Sequence, residues 1–117
     1  MATTRSSRQL AENVLSDLGL TASGENPAPA DVQYIKQRYE DLLAELEDED
    51  MVYWDPDEIP YVIFEPMTKL VGLTVGNAFG VQTMAENIER GMQLFKRRIR
   101  RHTGRKSAGL PVEVEDF

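Results

Sequence analysis

The side chains of this chain that could do acid–base, nucleophilic or metal chemistry are 20 Asp and Glu, 13 Lys and Arg, one His and no Cys. Without cysteine there is no disulfide scaffold, no thiolate zinc site and no Cys nucleophile. A single histidine, His102, excludes a multi-His metal site and makes a Ser-His-Asp triad a strained reading. Paired carboxylates could serve a glycosidase, but the acids here fall on polar helix faces and in turns, where water solvates them. No Gly-rich phosphate loop is present. His102 lies in a basic run near a helix end and reads as structural or solvated. We therefore expect no enzyme activity, no cofactor and no metal, and a role in binding or assembly instead.

The charged residues are sorted along the chain. Residues 40–58 hold ten acids and no base, whereas residues 90–106 hold eight bases and no acid. The net charge is −7. Such a chain can pair acidic face to basic face with copies of itself, or within one molecule, or it can simply present two solvated helix faces. The basic run 96–106 with an aromatic nearby is also a footprint for nucleic acid. Against that stand the negative net charge and the lack of a helix-turn-helix glycine turn before it.

These residues need helices to position them. At 117 residues the chain fits one small domain, and a chain of this size leaves much of its surface uncovered. Residues 1–5 read as frayed. Ser6 with Gln9 forms a candidate capping box, and Leu10, Val14 and Leu18 recur every four residues on a helix over 7–18. Gly19 suits the left-handed position after it, with Leu20 folding back. A loop over 21–28 leads to Pro29, suited to a first helical turn. Val32, Ile35, Tyr39, Leu42, Leu43 and Leu46 then mark an amphipathic helix over 30–48. Its acidic end has the wrong sign for the helix dipole, so it should fray unless a cation meets it.

Met51–Trp54 forms a short apolar patch, followed by a turn at 55–60. A central, mostly apolar helix is expected over 60–79, bent at Pro66. Gly72, Gly76 and Gly80 lie four apart and suggest a close backbone approach, with Gly80 as C-cap. The stretch is too interrupted by Glu65, Pro66 and Lys69 to span a bilayer, and residues 1–9 carry no signal-peptide pattern. Val81, Met84, Ile88, Met92, Phe95 and Ile99 predict a fourth helix over 82–102. Residues 103–109 read as a flexible linker. Residues 110–117 alternate apolar and acidic, a strand pattern without a partner strand. The expected fold is all-α: a small antiparallel bundle of about four helices over 1–102, with an extended C-terminal arm over 103–117.

In this order the segments resemble the head-to-tail adaptor proteins (tail accessory or head completion proteins) of tailed bacteriophages and gene transfer agents. The resemblance is carried by Leu18-Gly19-Leu20 and by Asp41-Leu42-Leu43-Ala44-Glu45-Leu46. Val52-Tyr53-Trp54 then leads to Asp57-Glu58-Ile59-Pro60, followed by Phe64-Glu65-Pro66-Met67-Thr68-Lys69-Leu70 and Ala78-Phe79-Gly80. It covers about residues 8–100. The short C-terminal region departs from relatives with longer tails. The resemblance implies a virion protein, made in the host cytoplasm and built into the head–tail junction. Typically twelve copies form a ring docked on the portal protein, with a tail or nozzle protein on the other side and DNA passing through.

On that reading Leu110, Val112, Val114 and Phe117 are expected to anchor the arm on the portal. Ring closure needs two different complementary faces. The expected interface sets Glu45, Glu47 and Asp48, with the apolar Met51, Tyr53 and Trp54, against Lys96, Arg97, Arg98 and Arg101 of a neighbour. Pairing of the same charges within one bundle is the open alternative, as is a satellite core for the three apolar residues. The rival function is a nucleic-acid-binding helical protein using the basic helix.

Overall fold

The computed structural model describes residues 4–22, 25–81 and 84–108, with side-chain surroundings as far as Gly104. Four helices make an all-α unit: α1 (Ser7–Asp17), α2 (Pro29–Asp48), α3 (Tyr61–Val75) and α4 (Ala85–Ala108). A two-residue ladder adds β1 (Thr4–Arg5) and β2 (Ile59–Pro60).

Helix α1 begins as its sequence dictates. Ser6 Oγ accepts the Gln9 N–H at 3.1 Å, and Gln9 Oε1 accepts the Ser6 N–H at 2.8 Å. Two of the unsatisfied first-turn donors are thereby paired. At the other end Gly19 takes φ +77°. Its N–H reaches Ser16 O at 3.0 Å, and the Leu20 N–H reaches Leu15 O at 2.9 Å, the Schellman pattern. Residues 4 and 5 depart from the expected frayed end. Thr4 pairs antiparallel with Pro60, and Arg5 with Ile59. The partner strand lies more than fifty residues away and is two residues long, so no local alternation could announce it. Fully buried Ile59 ties that ladder to the core.

Helix α2 buries Val32, Ile35, Tyr39, Leu42, Leu43 and Leu46 as one stripe. It does not fray at its acidic end. Asp50 adopts φ +57°, a left-handed conformation that Asp tolerates better than most residues. The Asp50 N–H reaches Glu47 O at 3.0 Å and the Met51 N–H reaches Leu46 O at 2.9 Å. Met51 is thereby turned into the core, 1% exposed.

Helix α3 packs against α1, α2 and α4 and is the centre of the unit. Ile63, Met67, Leu70, Val71 and Val75 are fully buried on it. Pro60 is the cap of α3 and its first helical residue is Tyr61. The last turn tightens into a 3-10 segment, Gly76–Phe79, which Gly80 ends at φ +82°.

The glycine expectation is redirected. A Cβ on Gly72 would meet nothing within 4 Å, and one on Gly76 only ordinary contacts with Val81. The close approach is at Gly91 on α4, where a Cβ would come within 2.8 Å of Leu73 Cδ1 on α3.

Helix α4 starts at Ala85 and runs to Ala108, so the expected boundary after residue 102 falls inside it. Ile99 is fully buried, and Met92 and Phe95 pack partly against the core. Among the described residues, no helix is long and apolar enough to cross a membrane.

Candidate functional site

The acidic end of α2 and the basic half of α4 meet within one chain. Lys96 Nζ lies 3.5 Å from Glu49 and 4.0 Å from Glu45, and Arg100 lies 3.5 Å from Glu49. One turn on, Thr103 Oγ1 donates to the Met51 carbonyl at 2.6 Å in a buried position. Successive turns of α4 thus clamp the end of α2. The cations needed to offset the acids at that helix terminus come from the same molecule. These ion pairs are half-exposed and contribute on the order of 0–1 kcal/mol each. The buried Thr103 bond holds the geometry.

The rest of the expected interface is divided. Glu47 and Asp48 remain exposed. Arg97 and Arg101 are exposed too and make no salt bridge among the described residues. The Arg98 guanidinium lies 5.6 Å from the Phe95 ring centroid. Met51 and Trp54 belong to the chain's own core, which leaves Tyr53 as the exposed member of the three. Tyr53 meets Trp54 edge-to-face at 5.3 Å. Trp54 Nε1 donates to Tyr39 Oη at 3.3 Å, and that hydroxyl donates to Pro56 O at 2.8 Å. Burial pushes the Tyr39 phenol well above its ordinary pKa, so it stays a neutral donor and pins the acidic loop to α2. Leu110, Val112, Val114 and Phe117 lie outside the described residues.

Local pattern could not find Asp57. Its carboxylate accepts both the N–H and the Oγ–H of Ser7 at 2.9 Å, fastening the turn before β2 to the start of α1. Those two bonds hold the carboxyl below the usual aspartate range. Lys69 on α3 is fixed to Asp17 on α1 at 2.7 Å, and that bond raises the ammonium pKa.

Apolar recesses open on the surface, and two of them lie between elements. One, between α1, α3 and the middle of α4, is lined by Leu18, Gly72, Leu73, Gly76, Val81 and Phe95, with the Asp17–Lys69 pair beside it. The other is a groove of about 150 Å³ between α2 and the loop after it. Leu43, Ala44, Val52, Trp54 and Pro56 form its floor, and Glu40 and Glu47 its rim. On α4, opposite the core stripe, Arg90, Leu94, Arg97 and Arg101 form an outward ridge, beside a shallow recess that Glu86, Glu89 and Gln93 also line. Leu94 is 47% exposed. The signal for this ridge was present in the sequence as a second period-3.6 stripe, masked by the stronger apolar one.

Among the described residues, no group of three or more His, Cys, Asp or Glu could hold a metal ion. What the arrangement offers chemically is a pair of dissimilar surfaces, an acid-rimmed apolar groove and an arginine-flanked apolar ridge. Comparison of the chain with protein-family models, with curated proteins and with solved structures returns no match.

Proposed function

We propose that this chain is a subunit of the head-to-tail adaptor ring of a tailed bacteriophage or gene transfer agent. It docks on the capsid portal protein, gives a tail or nozzle protein its attachment surface and surrounds the channel through which DNA leaves. The observation that carries this reading is the order of its segments: Leu18-Gly19-Leu20, Asp41–Leu46, Asp57-Glu58-Ile59-Pro60 and Phe64–Leu70. Each falls at a joint or core face of a four-helix unit. The two dissimilar surfaces support it, because a closed ring of identical subunits joins face A of one copy to face B of the next. Leu110, Val112, Val114 and Phe117 supply the apolar anchors of the arm. Several arms engaging one portal together gain from multivalency.

The test is the mass of the assembly formed by the purified chain with and without a portal ring from the same particle. The intact chain is expected to add about twelve copies to the portal, the number typical of the family it resembles. A chain ending at Ala108 is expected to stay folded and fail to dock. Unchanged docking after that truncation removes the arm from the mechanism. No docking by the intact chain removes the adaptor reading.

The outward Arg90, Arg97 and Arg101 favour one alternative, a nucleic-acid-binding helical protein. It requires duplex affinity in the isolated chain that falls steeply with salt.

A further inference from the structure

We infer that copies of this chain join head to tail by seating the Leu94 ridge of one α4 in the Glu40–Glu47 groove of the next copy's α2. This deepens the ring reading and rests on it for the closure and copy number, though not for the contact itself. The first ground is the state of the charges. Lys96 and Arg100 are engaged with Glu45 and Glu49 of their own chain. Arg90 and Arg97 on the ridge, and Glu40 and Glu47 on the groove rim, make no salt bridge among the described residues. Glu86 and Glu89 share the α4 face with the two arginines, so the complementarity is local. The arginines that flank Leu94 point outward on α4, the glutamates that flank the groove point outward on α2, and copies can satisfy each other.

The second ground is register. Arg90 and Arg97 are seven residues apart on α4, and Glu40 and Glu47 are seven apart on α2. Seven residues at ~1.5 Å rise span about 10.5 Å and return to nearly the same side of a helix. Leu94 lies between the two arginines, and Leu43 and Ala44 lie between the two glutamates. When each arginine meets a glutamate, the leucine falls over the apolar floor. Ala44 is exposed and small, which lets a second helix come close. The groove, at about 150 Å³, has room for one aliphatic side chain. An exposed leucine flanked along its helix by Arg90 and Arg97 fits an acid-rimmed apolar recess in both shape and sign.

The chain lacks cysteine, so disulfide trapping reads the contact without background. Ala44→Cys chains mixed with Leu94→Cys chains under mild oxidation are expected to give a dimer of the two different variants. Arg38→Cys, exposed on another face of α2, mixed with Leu94→Cys is the control and is expected to give far less. In sedimentation, Glu40→Arg/Glu47→Arg chains and Arg90→Glu/Arg97→Glu chains are each expected to associate about tenfold or more weakly than the unaltered chain. Mixing the two should restore association, because each then offers the other a matching face.

Cross-linking no better than the control, or association unaffected by either double variant, overturns this contact and leaves the adaptor reading standing. Portal docking that fails while the cross-link forms overturns the adaptor reading and leaves the contact. Loss of duplex binding in Arg90→Glu/Arg97→Glu, without the specific cross-link, assigns the ridge to nucleic acid and overturns the contact.

Discussion

Thr103 is the residue on which the seat of α4 turns. Its hydroxyl is buried and donates to the Met51 carbonyl at 2.6 Å. Thr103→Val keeps the shape, leaves that carbonyl unpaired and is expected to lower stability by about 1–2 kcal/mol. Thr74→Val, which removes a part-buried bond to Val71 O made from an exposed position of α3, should change it by less, about 0.5 kcal/mol. Urea unfolding of the two variants checks the contrast. Asp57 carries a pH signature. Its folded-state pKa is lowered by the two Ser7 bonds, so its contribution is present above the unfolded aspartate value and is lost as pH falls through the folded one. The stability gap between the unaltered chain and Asp57→Ala should be widest above the unfolded aspartate value and close as pH falls below it. A gap that is constant across that range would remove the Ser7 bonds as the cause.

Among the elements, the helices and the locally made joints follow from pattern, and the joints made between remote segments do not. The capping box at Ser6 and the turn at Gly19 are local chemistry, so both were legible. The end of α2 was not. Four acids at 47–50 oppose the dipole, and the cations that meet this helix end, at Glu49 and the preceding Glu45, come from α4, some fifty residues on. Helix α4 likewise outran its expected end, because the turn-like composition of 103–108 is overridden by the Thr103 bond to Met51 and the ion pairs before it. Gly72 tests the glycine reading. It sits inside α3 with open space where a Cβ would go, so Gly72→Ala is expected to raise stability by ~0.5–1 kcal/mol. Gly91→Ala should gain less, since Leu73 Cδ1 stands 2.8 Å from the new carbon. Thermal unfolding of the pair decides it.

For the whole molecule, the proposed assembly is expected to separate from fold stability. The Lys96–Glu49 and Arg100–Glu49 pairs are half-exposed, so Lys96→Gln is expected to shift unfolding by less than about 1 kcal/mol. Added salt should move it little. Assembly through Arg90 and Arg97 should instead weaken visibly with salt, because those charges steer two bodies together through solvent. Equal salt sensitivity of unfolding and of association would contradict that separation.

The sequence by itself determined the number of helices, their buried stripes, the capping chemistry and the exclusion of thiol and multi-histidine chemistry. All of these depend on residue type and on spacings of three and four. Only the tertiary structure decided which charges are consumed within the chain and which remain outside. It also decided that Met51 and Trp54 face inward and that residues 4 and 5 pair with 59 and 60. Those outcomes depend on distances between segments remote in sequence, and a one-dimensional pattern holds no such distance. Charge counting alone set ten acids against eight bases. Packing turned Lys96 and Arg100 towards their own α2 and left Arg90, Leu94 and Arg97 on the far side of the same helix.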